Sequence, residues 1–277
     1  MKKLLVPVDF SEFSEYALEV AASLAKRHNA EISVFHMLGI SESVFVANEA
    51  AEMAEAKYYM NMAKDKFTTF LNKDYLKGIK ITEVIQNYKV FSEINELAKE
   101  MDIDLIIMGS HGSKGLSEFF VGSNTEKVVR TSSVPVLVIK QRRPDFKLEK
   151  VVFACDFKIE NLYAFIHAVK LFSEQEAKIN LVYVNRPSEY FITKAELDER
   201  IAYFMSKVRD QNLENIEVDY VTDYSIEHGI LAYCKKIHAD LVAIPTHGRK
   251  GWAHFFVGSL GENIANHAHM PVMTFRI

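Results

Sequence analysis

Apolar and polar positions along this chain follow two rhythms. Short apolar runs rich in Val, Ile and Leu occupy residues 3–9, 31–38, 79–85, 103–109 and 134–139, each bounded by turn formers. Between them, apolar residues recur at helical spacing. Ala17, Leu18, Ala21, Ala22, Leu24 and Ala25 make one stripe behind Ser11, which is placed to cap that helix. Residues 47–72 give a long polar-rich helical pattern, and Ser92 opens another that runs through Ala98. Leu105-Ile106-Ile107-Met108 and Val134 to Ile139 are continuously apolar, as expected of strands covered on both faces. Five such β–α alternations predict a parallel, doubly wound α/β sheet.

The plan then repeats, with strands expected near 150–156, 178–184, 216–221, 240–245 and 271–275. Residues 111–123 read HGSKGLSEFFVGS and residues 247–259 read HGRKGWAHFFVGS, aligned without a gap. Val6-Pro7-Val8-Asp9-Phe10 is answered by Phe153-Ala154-Cys155-Asp156-Phe157. The spacing between these two echoes makes the second copy eleven residues shorter, and the loss falls between its second and third strands. The charged, proline-bearing segment Gln141-Arg142-Arg143-Pro144-Asp145 separates domains at 1–142 and 147–277. So short a linker keeps the domains close.

Composition narrows the function. With 49% apolar and 25% charged residues in 277, the chain is neither disordered nor fibrous. A net charge of −4 supplies no field for nucleic acid or an anionic membrane. The opening Met1-Lys2-Lys3-Leu4-Leu5-Val6 imitates a signal peptide briefly, but Pro7 and Asp9 interrupt it, and no run approaches the ~18 apolar residues of a membrane helix. Cys155 and Cys234 form no CxxC pair, which excludes a disulfide scaffold and a cysteine-rich zinc site and suits a reducing, cytoplasmic setting.

Ligands of doubly wound sheets bind beyond the carboxyl ends of strands at the topological switch point. Two segments of the first copy qualify: Pro7-Val8-Asp9 after the first strand and Gly109-Ser110-His111-Gly112 after the fourth. The chain then reaches Gly122-Ser123 and enters a helix through Asn124, Thr125 and Glu126. Ser123 and Glu126 read as an S-x-x-E capping box, and the box alone would explain the serine. A helix start presents unpaired N–H groups and positive partial charge, which favour phosphate, and glycines let the backbone approach it. A tight turn that merely lets the helix pack on the sheet is the alternative. Asp9 beside phosphates needs a divalent cation or an amino group as partner. Lys114 and Lys250 repeat within the loop, as phosphate screens or as solvated surface. His267-x-His269 fits no standard metal-ligand set. The chain holds no P-loop, no G-x-G-x-x-G after the first strand, and no H-E-x-x-H or G-x-S-x-G, so no catalytic residue is assigned.

The pattern Gly109-x2-Gly112-x9-Gly122-Ser123, preceded by Pro7-Val8-Asp9-Phe10-Ser11 and followed by Val134-Pro135-Val136-Leu137-Val138, resembles the universal stress protein (UspA-like) family in a tandem form. The resemblance spans essentially the whole chain. It implies two domains, each a five-stranded parallel sheet of order 3-2-1-4-5 with helices on both faces. For the branch with the complete glycine motif it also implies binding of ATP, with Mg2+ as an accompanying cation. The implied contacts are Pro7, Val8 and Asp9; Met37 for the adenine; Met108, Gly109 and Gly112; and Gly122, Ser123, Asn124 and Thr125 around ribose and phosphates. The last strands, Val136–Ile139 and Val272–Phe275, are implied to pair as an intramolecular pseudo-dimer, with a homodimer left open. The second copy departs from the motif: Pro245 replaces the first glycine and Lys158 stands where the first copy has Ser11, while Asp156, Gly248, Gly258 and Ser259 remain. The expectation is a nucleotide-responsive stress-response module with its nucleotide mainly in the first domain and an unknown protein partner. A scaffold without nucleotide and a slow ATPase are the alternatives.

Overall fold

The computed structural model describes residues 1–38, 49–86, 93–110, 122–187, 191–208, 214–246 and 268–277. They divide into two compact units between Phe146 and Lys147. Unit 1 runs β1 (Lys3–Pro7), α1 (Glu12–His28), β2 (Glu31–Met37), α2 (Glu49–Phe70), β3 (Ile81–Gln86), α3 (Ile94–Glu100), β4 (Leu105–Gly109), α4 (Ser123–Thr131) and β5 (Val136–Ile139). Its strands pair in parallel in the order β3-β2-β1-β4-β5, as the family resemblance implies. Unit 2 runs β6 (Lys150–Ala154), α5 (Leu162–Ser173), β7 (Lys178–Asn185), α6 (Lys194–Ser206), β8 (Ile216–Thr222), α7 (Ile226–Ile237), β9 (Leu241–Thr246) and β10 (Val272–Arg276). Its parallel order is β8-β7-β6-β9-β10, the same winding again. The chain is thus a tandem of two doubly wound α/β domains.

Local chemistry explains the elements. The Ser11 hydroxyl caps α1 by accepting the Ser14 amide, Glu12 and Glu15 lie in the first turn, and Lys26, Arg27 and His28 lie in the last. The acidic residues at its start and the lysine and arginine at its end complement the helix dipole. The stripe from Ala17 to Ala25 is buried against the sheet, and Asn29 ends the helix in the left-handed region at φ 50°. Strands β4 and β5 are buried at every residue, so both faces of the sheet are covered. Most of the second copy's shortening falls on one helix, 22 residues in α2 against 13 in α6. Helix α3 starts at Ile94 with Glu93 in the cap position; Ser92 lies outside the described residues. No helix among the described residues is long and apolar enough to cross a membrane.

The linker segment is tied to α1. Glu19 is buried despite its charge, and Arg142 donates to both its oxygens, Nε to Oε2 at 3.0 Å and an η nitrogen to Oε1 at 2.9 Å. Arg27 adds a longer bond to the Phe146 carbonyl at 3.4 Å. Arg142→Ala leaves the Glu19 carboxylate without its bidentate partner. Because the arginine side chain is 64% exposed, solvent softens the loss, and a slightly lower midpoint is expected in chemical denaturation.

Candidate functional site: the strand-end crevice of unit 1

Strand β1 is central, and the chain winds to β2 on one side of it and crosses to β4 on the other. The β1–β4 pairing is short, Leu4 with Leu105 and Leu5 with Ile106. Beyond it, β1 continues beside β2 as far as Pro7 opposite Phe35, and β4 continues beside β5 as far as Gly109 opposite Ile139. The sheet therefore parts between β1 and β4 at their carboxyl ends, the switch point of a doubly wound fold.

Pro7 and Val8 are buried on one side of this parting, with the Val8 amide donating to Phe35 O at 2.8 Å. Asp9 is exposed. Its Oδ1 accepts the Ser11 amide at 3.0 Å and the Ser14 hydroxyl at 3.2 Å, which fixes the carboxylate at the mouth. Phe10 turns the chain through φ 65°, a left-handed conformation costing about 1–2 kcal/mol for a residue with a side chain. Its ring packs 4.5 Å from His36, 5.2 Å from Phe67 and 5.5 Å from Phe70, with the Lys66 ammonium 5.5 Å from its centroid. Phe157 repeats the conformation in unit 2 at φ 55°, so the turn belongs to the fold of both copies.

Across the parting, Met108 is buried and Gly109 ends β4. A Cβ on Gly109 would lie 2.7 Å from the carbonyl carbon and oxygen of Phe13, so this glycine admits the first turn of α1. Helix α4 is stapled over the same end. The Gly122 amide donates to Ser110 O at 2.6 Å, and the buried Thr125 hydroxyl donates to Gly109 O at 2.8 Å. The expected Ser123–Glu126 capping box is not formed. Gly122, extended at φ −60° and ψ 147°, is the cap, its carbonyl accepts the Glu126 amide at 3.0 Å, and Ser123 is already the first helical residue. Among the described residues no side chain caps this helix, and the first-turn amides lack an intrahelical acceptor. Ser123 and Asn124 are exposed there, and Met37 stands half-exposed at the end of β2. Pro7, Val8, Asp9, Met37, Met108, Gly109 and Gly122 to Thr125 thus all lie at carboxyl ends of neighbouring strands or on the helix fastened to them. Gly112, Lys114, Lys250, Gly248, Gly258 and Ser259 lie outside the described residues.

Sequence reasoning missed His36. Its Nδ1 lies 2.8 Å from Val8 O, and because a carbonyl only accepts, Nδ1 carries the proton. Burial holds the imidazole below its ordinary value of 6.5, and the Lys66 ammonium adds to this, against the opposing pull of the Val8 carbonyl and Asp9. The unfolded chain consequently takes up the proton first. His36 contributes its full stability above pH 6.5 and loses it as pH falls below that value. His36→Asn, with no titrating ring, is expected to flatten the decline in unfolding free energy as pH falls below 6.5.

Unit 2 spends the corresponding groups on itself. Asp156 accepts the Lys158 amide at 3.0 Å and the Asn161 side-chain amide, and its Oδ2 lies 3.2 Å from the Lys158 ammonium. Cys155 stands where unit 1 has Val8, and burial pushes its thiol up to about 12. Pro245 lies within β9 opposite Phe275. The turn equivalent to the start of α1 is a 3-10 turn, Ile159–Asn161, ahead of α5.

A helix start fastened over a parted parallel sheet, present in a chain that repeats the same winding, defines a tandem doubly wound α/β protein with a strand-end crevice in unit 1. The chain belongs to the universal stress protein family, whose model matches residues 1–140 and 147–276. It is 31% identical over 155 residues to universal stress protein MJ0577 of Methanocaldococcus jannaschii, covering 51% of this chain and 96% of that protein. Universal stress protein Slr1230 of Synechocystis aligns over the full length of both chains at 23% identity. The crystal structure of a universal stress protein from Archaeoglobus fulgidus shares the fold, with a TM-score of 0.68 at 22% identity over 99% of this chain and 96% of that one.

Proposed function

We propose that unit 1 binds an adenine nucleotide, ATP, in the crevice between β1 and β4, and that occupancy makes the chain a nucleotide-responsive regulatory module. The observation that carries this reading is the α4 start: Gly122 caps it without a side chain, and two hydrogen bonds hold it on the end of β4. Amides so placed and a positive helix end suit phosphates. Gly112 joins them by its place in the glycine motif. Asp9 offers a hard carboxylate oxygen held by its own turn, which fits Mg2+; Asp9 would hold the ion, which supplies charge to offset the phosphates. No described residue at the crevice is given a catalytic role, and turnover is expected to be weak or nil. In unit 2 the Lys158 ammonium already pairs with Asp156, which supports a weak or altered second site.

Protein purified without added nucleotide and unfolded in a mass spectrometer is expected to release adenine nucleotide. Release of none, together with no heat from Mg-ATP in calorimetry, would overturn the reading. A scaffold role without nucleotide has one observation in its favour: Tyr58, 61% exposed, and Tyr59 make an aromatic pair on α2, the helix that unit 2 shortens.

A further inference from the structure

We infer that His36 is a positioning residue of the unit 1 crevice: its imidazole takes the Val8 carbonyl at the last rung between β1 and β2 and so reserves the Met37 amide for the base of the ligand. The inference rests on reading that crevice as an adenine-nucleotide site. Along β2 the donors facing β1 alternate from Glu31, whose amide bonds Lys2 O at 2.9 Å. By that alternation the fourth donor is Met37, and its partner in a continuing ladder is Val8 O. His36 Nδ1 donates to that carbonyl at 2.8 Å, and among the described residues the Met37 amide forms no bond to it. The ladder therefore ends on a side chain, and the next backbone donor on β2 stands at the strand end where a base would lie.

The ring is held for this task. Phe10 packs at 4.5 Å and Phe67 meets it edge-on at 6.3 Å. The charged groups facing it are Lys66 from α2 and Asp9 from the turn after β1. Unit 2 lacks the device: Tyr183 stands in the position of His36, 6.5 Å from the Phe157 ring, and Cys155 in that of Val8. A lone amide donor at the base edge favours adenine, whose N1 accepts, over guanine, whose N1 carries a proton; an unmatched pair of donors costs about tenfold or more in binding.

The test uses the full chain, with Mg-ATP and Mg-GTP as probes in calorimetric titrations. His36→Phe keeps a ring but removes the donor, whereas the side-chain amide of His36→Asn places a donor where Nδ1 was. His36→Phe is expected to weaken ATP about tenfold and to shrink the preference for ATP over GTP. His36→Asn is expected to keep both within about threefold of wild type. Nitrogen NMR of the wild-type imidazole is expected to show the Nδ1–H tautomer. The inference is overturned if folded His36→Phe keeps wild-type ATP affinity and preference, if His36→Asn fails as badly as phenylalanine, or if the wild-type ring carries its proton on Nε2. A wild-type chain that binds neither nucleotide overturns the reading of the site itself, and this inference with it.

Discussion

Alanine at Gly109 is expected to cost unit 1 about 1–3 kcal/mol, read as a lower denaturation midpoint with an unchanged slope. The added methyl would sit 2.7 Å from the Phe13 carbonyl carbon and oxygen and 2.8 Å from its Cβ. The two nearest atoms are backbone at the start of a helix whose cap is already fixed by Ser11 and whose inner face is buried. Relief therefore requires α1 to lift from β4, and that movement exposes core. The second copy shows what the chain does when the position is not glycine: Pro245 goes with a 3-10 turn at Ile159–Asn161, and α5 begins only at Leu162. An unchanged midpoint for Gly109→Ala would mean that the first turn of α1 yields as readily as its counterpart is wound differently.

The second large effect belongs to Gly122, and it is expected in binding rather than in stability. The glycine is extended at φ −60°, a conformation open to any residue, so valine strains no backbone. As a cap, valine is poorer than glycine, which sets a stability cost of about 1 kcal/mol. The affinity cost is larger because a branched apolar group then stands at the helix start where phosphates approach the first amides. A loss of about a hundredfold in Mg-ATP affinity, near 2.7 kcal/mol, is expected for Gly122→Val. Stability lost with affinity intact would assign the glycine to packing alone.

Much of this architecture is legible in the sequence because the physics that makes a buried parallel strand also writes it as an unbroken apolar run. Leu105 to Met108 and Val136 to Ile139 are both seen in that way, and the repeated winding follows from the two sets of strands. The cap of α1 is also local, since Ser11 bonds three residues ahead. The start of α4 is not local. Ser123-x-x-Glu126 and Thr193-x-x-Glu196 present the same signature, yet only the second forms a capping box. What decides is tertiary: Gly122 bonds Ser110 and Thr125 bonds Gly109, and together they set where the helix begins. Gly109 shows the same limit, because the sequence offers phosphate approach as the reason for a glycine and the packed helix supplies another. His36 stays hidden because its role depends on register, which places its ring beside a carbonyl 28 residues away.

The most direct measurement is the stoichiometry and site of ATP binding by the full chain, obtained by calorimetric titration of Mg-ATP into nucleotide-free wild type, Gly122→Val and Gly258→Val. A single nucleotide per chain is expected, lost with Gly122→Val and retained with Gly258→Val. No binding in wild type, or binding that survives Gly122→Val and disappears with Gly258→Val, would contradict a nucleotide site in unit 1.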